Sequence, residues 1–457
     1  MRKFLLEKYN IPVPRYTSYP PANHFTEDFT VDDYTGLLDG SNSGTPFNIA
    51  IYIHIPFCRK ICHYCGCNSC PAGNGETVLP YIQALKKEMQ QVIGHIDKNR
   101  PVSQIHYGGG TPNSIDIRFI KEINDYLRSE FRFISDPEIA IECNPAWLDF
   151  DYADKLVDAG FNRFSLGIQD FNENVLSMVN RDPALIHPSD MLSHLRKRNK
   201  EIKLNLDFIY GLPGQTVESF TETVREAAEI GPDRLVTFSY AHVPWMKKHQ
   251  AILERKGLPL PEEKMNMFVS SYNLLLERGY MPVGLDHFVL PGDDLYNALK
   301  EHKLHRNFMG YCTRRTTGQV YAFGVTGISQ LEKGYSQNKK DIDGYIKDVE
   351  AGILPVEKGC LLTREQMITR EVITEIMCNK RIDLSETAQK ENISLNELKK
   401  ILGFREERFD DLINDGIVVL GNNIIEVTET GSLFIRNVAA LFDRDYQEKK
   451  QTYSKIV

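Results

Sequence analysis

From Asn48 onward, short apolar runs alternate with longer amphipathic stretches. The apolar runs fall at 49–55, 104–107, 138–141, 163–168, 204–209 and 235–240. Most are rich in Ile, Val, Phe and Tyr, the composition of buried strands. Between them, 81–93, 117–131, 152–159 and 217–230 place apolar residues at helical spacing. Strand–helix alternation over six units predicts an α/β fold, a parallel sheet with right-handed crossovers. Six units in succession suit a partial (β/α)6 barrel better than a doubly wound sheet.

Outside these units the pattern changes. The first 45 residues read as irregular and include Pro14-Arg15-Tyr16-Thr17-Ser18-Tyr19-Pro20, whose prolines disfavour a helix. The pattern is less regular from about 260. From about 362 it is mostly helical, with a short β-like segment at 417–427, as in a small winged-helix-like module. The expected division is an N-terminal arm over the active site at 1–47, a barrel core at 48–260, a barrel extension and substrate-side segment at 261–360 and a mostly helical module at 361–457.

The chain has 457 residues, room for about three domains. Its 54 Lys and Arg against 62 Asp and Glu give a net charge of −8. That balance argues against nucleic acid or an anionic membrane as the main partner. The last part, from Arg381, holds 11 basic and 14 acidic residues, so it reads as a cap, not a nucleic-acid reader. No apolar run is long enough to span a bilayer, and the N-terminal apolar stretch stops at Leu6, short of a signal-peptide core. A cytoplasmic location is expected, with monomer favoured. Nine cysteines, five of them between Cys58 and Cys70, then point to metal or redox chemistry, not disulfides.

Polar and glycine residues cluster just after the apolar runs, where a βα barrel keeps its active face. Gly108-Gly109-Gly110-Thr111-Pro112 follows the second run, Glu142 the third and Gln169-Asp170 the fourth. Asp207 lies in the fifth, and Ala241-His242 follows the sixth. The first run leads into Cys58, Cys62 and Cys65, a C-x3-C-x2-C triplet, with Cys67 two residues on. Structural zinc usually takes two ligand pairs separated by a longer loop. One compact loop of thiolates fits an iron–sulfur cluster better. Three ligands leave one iron of a 4Fe–4S cluster open to a substrate or cofactor.

This triplet after the first strand resembles the signature of the radical S-adenosylmethionine (SAM) enzymes. The resemblance implies that SAM binds the open iron and is cleaved by one electron to methionine and a 5′-deoxyadenosyl radical. The glycine segment is similar to the one that contacts the methionine part of SAM. A closer likeness covers nearly the whole chain. Pro14 to Pro20, His54-Ile55-Pro56-Phe57-Cys58, Cys65-Gly66-Cys67-Asn68, Asp207-Phe208-Ile209-Tyr210-Gly211-Leu212-Pro213, Tyr240-Ala241-His242, Asp286-His287-Phe288 and His305-Arg306-Asn307-Phe308 occur in order. Together they resemble the oxygen-independent coproporphyrinogen III oxidase family. That family converts two propionates of coproporphyrinogen III to vinyl groups, giving protoporphyrinogen IX in heme biosynthesis.

The resemblance assigns Cys58, Cys62 and Cys65 to the cluster. It gives Tyr52, Gly109, Glu142 and Ile328 to the cluster-bound SAM. Tyr64, Gly110, Thr111, Gln169, Arg181, Asp207 and Ala241 go to a second SAM. Tyr64 stands where a Phe is familiar, with an aromatic face retained. Cys67 is the candidate catalytic residue, near the cluster without ligating it. Arg15 and Arg306 are candidate propionate partners, because guanidinium matches carboxylate geometry. The electron donor and acceptor stay unidentified. The competing readings are a heme chaperone or heme-modifying radical SAM relative and, in another class, a zinc-stabilised interaction protein.

Overall fold

A computed structural model describes residues 3–72, 76–313, 318–448 and 453. The six expected runs form strands β1 (Ile49–Ile55), β2 (Val102–Gly109), β3 (Phe133–Cys143), β4 (Arg163–Gln169), β5 (Lys203–Tyr210) and β6 (Arg234–Ser239). Each pairs with the next in parallel. Later in the chain come β7 (Met281–Val283), β8 (His287–Val289), β9 (Gln319–Phe323), β10 (Ile328–Leu331), β11 (Gly334–Asn338) and β12 (Val356–Leu361). They extend the sheet on both sides, in the order β12-β11-β10-β9-β1-β2-β3-β4-β5-β6-β8-β7. β9 is a seventh parallel strand on β1, which the six-unit reading did not contain. The sheet stays open, as a partial barrel does.

Helices cover its outer face. Val217–Ile230 shows why the pattern is local. Thr216 Oγ1 accepts from Ser219 N at 3.1 Å, Ser219 Oγ accepts from Thr216 N at 2.9 Å, and Gly231 ends the helix with φ of 70°. β1 is almost wholly buried because it is central and covered on both faces.

Side chains alternate across a strand, so every second residue points into the barrel. At the N-terminal ends these are polar and bond to one another. Gln104 Nε2 donates to Glu138 Oε1 at 2.7 Å, Arg163 Nε donates to Glu138 Oε2 at 2.7 Å, and Arg163 Nη1 donates to Asn205 Oδ1 at 3.0 Å. Burial would raise the Glu138 pKa, but Arg163 and Arg234 hold it at about 2. This layer closes the bottom of the barrel and leaves the opposite end for chemistry.

The arm differs from expectation. Lys3–Tyr9 and Val31–Ser41 are helices flanking the proline-rich piece, because Pro14 and Pro20 disfavour helix only around themselves. Leu5, Tyr9, Val13, Tyr16 and Tyr19 share a core with the C-terminal region, while Phe29, Tyr34, Leu37 and Leu38 join the barrel core. The C-terminal region contains helix Arg364–Asn379, shorter helices and a three-stranded antiparallel sheet of Arg381–Asp383, Val418–Gly421 and Ile424–Val427. No helix among the described residues is long and apolar enough to cross a membrane.

Candidate active site

β1 runs into the cysteine loop, whose base is pinned where Phe57–Cys58 pairs with Cys70–Pro71. Neighbouring elements grip the loop between these points. Val179 O accepts from His63 N at 2.9 Å, and Asn180 Nδ2 donates to Ile61 O at 2.8 Å. Lys247 Nζ donates to Cys67 O and Gln250 Nε2 to Tyr64 O, both at 2.8 Å. His249 Nε2 lies 2.9 Å from Cys65 O. The loop is therefore shaped by its surroundings before any ligand enters.

Cys58 and Cys62 are buried, Cys65 is half-buried and Cys67 is exposed. Cys58 Sγ lies 3.3 Å from Thr111 Oγ1. Burial pushes the Cys58 thiol up to about 11, with Thr111 opposing. A hydrogen bond from Cys67 draws Cys65 down to about 6 against burial, helped by Ser69 and Lys247. Among the described residues no three His, Cys, Asp or Glu side chains converge as a single ion requires. A cubane does not ask for that, since each thiolate holds its own corner iron.

The glycines let two strand ends touch at the root of the loop. A Cβ on Gly110 would lie 2.5 Å from Pro56 O, and one on Gly109, whose φ is +120°, would lie 2.8 Å from Ile55 O. Both residues are thus needed for packing, and their backbone also lines the mouth of the barrel.

The inward residues at this end form a polar arc. The Tyr52 ring stacks on His106 with centroids 6.0 Å apart, and its hydroxyl lies 3.1 Å from His54 Nδ1. His106 Nε2 lies 3.0 Å from Glu142 Oε1, and the Glu142 side chain is 47% exposed, open to a ligand. Ile328 follows Gly327, which lies against Ala322, the partner of Tyr52 across β1 and β9. Further round, Ser165 Oγ donates to Asp207 Oδ2 at 2.7 Å. Burial pushes Asp207 up to about 6, opposed by that hydrogen bond. Ala241 follows β6 and is half-buried.

Gln169 has a φ of +71°, rare for a residue with a side chain, and sits at a register shift between β4 and β5. The strain carries its amide over Gly167, where a Cβ would meet Gln169 Nε2 at 2.7 Å and Arg181 Nη2 at 3.0 Å. Arg181 is buried, grips Gly167 O, and places Nη1 3.5 Å from Cys62 Sγ. Its Nε is buried with no partner among the described residues. Tyr64 is close by, with burial and the neighbouring Cys62 raising its pKa and Arg181 opposing. An orphaned donor beside the Cys62 thiol of the cysteine loop fits an anionic ligand bound at that loop.

The structure also joins Arg15 and Arg306, far apart in sequence. Arg306 Nη1 donates to Arg15 O at 3.0 Å, and Arg306 Nε is buried with no partner among the described residues. Arg15 lines a pocket of about 60 Å³ with Tyr210, Thr237, Ser239, Asp286 and Arg436. Sequence reading missed Arg436, Lys264 and His106. Burial, Arg15 and Arg306 push the Arg436 guanidinium down to about 9, and burial with Arg15 pushes Lys264 down to about 8. No spacing signal exists for them, because each is placed by tertiary packing. His287 is bonded to Asp286 at 2.7 Å, and His242 bridges Tyr240 and Glu254.

A sequence profile described as the Radical SAM superfamily matches residues 52–227, the stretch that carries the cysteine loop and the polar arc. The fold and this match define a radical SAM protein. The likeness extends further. The oxygen-independent coproporphyrinogen III oxidase of Synechocystis sp. is 38% identical over 461 residues, covering 99% of this chain and 97% of the relative. The Escherichia coli (strain K12) protein of the same name is 36% identical over 457 residues, covering 99% and 98%. The solved structure of the Escherichia coli coproporphyrinogen III oxidase, described as a radical SAM enzyme, superposes with a TM-score of 0.88 at 35% identity, covering 97% of this chain and 99% of that one. The chain belongs to the oxygen-independent coproporphyrinogen III oxidase family.

Proposed function

We propose that this chain is an oxidoreductase that decarboxylates two propionates of coproporphyrinogen III to vinyl groups without oxygen, giving protoporphyrinogen IX for heme synthesis. Each propionate loses one hydrogen atom, one electron and CO2. The observation that carries this reading is the juxtaposition of the cysteine loop with the orphaned Arg181 Nε and the arc of Tyr52, Glu142 and Asp207, in a chain alike to these oxidases end to end.

When bound, the cluster and SAM supply a one-electron cleavage whose carbon radical removes hydrogen from an unactivated C–H bond. The protein supplies position and exclusion of water. Cys58, Cys62 and Cys65 would hold the cluster, which would supply the site for SAM. Tyr52, Gly109, Glu142 and Ile328 hold the SAM at that site. Tyr64, Gly110, Thr111, Gln169, Arg181, Asp207 and Ala241 hold a second SAM. Its support is that Gln169, Arg181 and Asp207 converge around Gly167, with Asp207 its strand partner. Cys67 stays off the cluster, on the exposed side of the loop, as a catalytic residue.

Arg15 and Arg306, with Arg436 and Lys264 nearby, hold carboxylates of the substrate. The excess of positive charge around Asp286 supports this. Asp207, Val236 and His287 are in register across β5, β6 and β8, so this site is about two strand spacings, roughly 10 Å, from Asp207. A tetrapyrrole can bridge that gap. The arm, tied down by Arg436 and Arg306, shields the site. The division at residues 47, 260 and 360, a monomeric state, a cytoplasmic location and no nucleic-acid or membrane partner belong to the same reading.

The test is an anaerobic assay of the reduced, iron-reconstituted protein with SAM and coproporphyrinogen III, read by porphyrin analysis. Divinyl product with release of methionine and 5′-deoxyadenosine is expected. SAM cleavage with no vinyl product rejects the substrate.

A further inference from the structure

The reaction draws an electron from outside the chain, and one cover of the cysteine loop has an exposed outer side. That cover is the segment after β6, which reaches the loop through Lys247, His249 and Gln250. Its outer side carries Trp245 and Met246, which are 60% and 73% exposed. Trp245 is one of only two tryptophans in the chain, and a tryptophan this bare on a surface is characteristic of a contact site. Met246 beside it is an adaptable apolar contact.

Charge in this segment is opposite in sign to that of the chain as a whole. The chain carries −8 overall. Between Trp245 and Lys256, however, Lys247, Lys248, Arg255 and Lys256 face a single acidic residue, Glu254, which is already engaged by His242. Lys247 and Lys256 donate to backbone carbonyls of Cys67 and Met178, so their charges are not cancelled there. An exposed apolar pair in a segment whose lysines stay uncancelled suits a partner with an apolar contact and negative charge.

Resting on the cluster reading of Cys58, Cys62 and Cys65, we propose that Trp245, Met246 and the surrounding lysines are the docking surface for a small acidic one-electron carrier protein of the flavodoxin or ferredoxin type. Docked here, the carrier is separated from the cluster loop by the side chains of one segment. One electron leaves the carrier, which is oxidised by one equivalent, and enters the cluster, whose charge falls by one. No bond is made or broken.

The test uses the cluster-loaded protein, a flavodoxin as the probe, and the double variant Trp245→Ala/Lys248→Glu. Both residues are exposed, so folding is preserved. Two readouts are taken: titration with oxidised flavodoxin, and the rate of cluster bleaching by reduced flavodoxin against that by dithionite. The expected result is about tenfold weaker binding and about tenfold slower reduction by flavodoxin, an unchanged dithionite rate, and a wild-type flavodoxin rate that falls with added salt. Unchanged flavodoxin binding and reduction overturns the proposal. So does equal slowing with dithionite. Trp245-dependent self-association, or binding to anionic vesicles, without a flavodoxin effect assigns the surface to another occupant and overturns it too. A protein that takes up no cluster refutes the reading of the cysteine loop instead, and the oxidised flavodoxin titration still decides the surface.

Discussion

Arg181 Nη1 lies 3.5 Å from Cys62 Sγ, and the same guanidinium grips the carbonyl of Gly167. One side chain thus ties the cysteine loop to the end of β4, and its Nε is buried with no partner among the described residues. Replacing Arg181 with Gln removes the charge without touching a thiol. Equilibrium dialysis of cluster-loaded protein is expected to find two SAM per wild-type chain and one per variant chain, with iron unchanged. Loss of iron in proportion to SAM would assign Arg181 to the cluster alone.

The proposed function divides ligation from catalysis between Cys62 and Cys67. Cys62→Ala is expected to lower iron from about four atoms per chain to below one. Cys67→Ala should keep the cluster and lose turnover. Iron analysis and visible absorbance of anaerobic protein decide this, and equal iron loss in both contradicts the division.

Asp207 should make SAM binding depend on pH. Burial raises its pKa to about 6, so below that pH the carboxyl is protonated and loses the negative charge that favours hydrogen-bond donors on a ligand. SAM affinity is expected to fall by up to about tenfold per unit below pH 6 in the wild type and to stay flat in Asp207→Asn. Titrations at several pH values measure this.

Glu138 should govern stability at the closed end of the barrel. Its pKa is held at about 2, below the unfolded value of 4.5, so its contribution is complete above 4.5 and is lost as pH falls toward 2. Glu138→Ala leaves Arg163 buried without its carboxylate and is expected to cost about 3–5 kcal/mol at neutral pH. Urea denaturation at pH 7 and pH 3 should show a large difference at the first and a smaller one at the second.

Arg436 should hold the arm. Its Nε donates to Pro14 O at 3.1 Å, it also grips Val13 O, and Asn437 Nδ2 donates to Tyr9 O at 3.2 Å. Arg436→Ala is expected to expose the arm between Tyr9 and Pro20 to limited proteolysis and to weaken substrate binding, with the cluster intact. An uncleaved arm would place the restraint in the tyrosines instead.

Local signals made much of the fold legible. The helix at 217–230 is read to the residue because Thr216 and Gly231 mark its ends. The cysteine triplet and the strand-end glycines are likewise contiguous in sequence. β9 was not legible, because its partner β1 lies far away and nothing in Gln319–Phe323 announces a parallel neighbour. The arm helices were masked by prolines that govern only the segment between them. The apolar runs also hid an alternation: Gln104, Glu138 and Arg163 point inward at the closed end, and Tyr52, His106 and Asp207 point inward toward the other. Arg436 and Lys264 became visible only when the arm and the C-terminal region came together around Arg15.

Electron paramagnetic resonance of the reduced, reconstituted protein, with and without SAM, tests the central claim most directly. The account predicts one cubane signal whose shape changes when SAM is added, because three cysteines leave an iron free to receive it. A cubane signal indifferent to SAM, or no cubane signal after reconstitution, contradicts it.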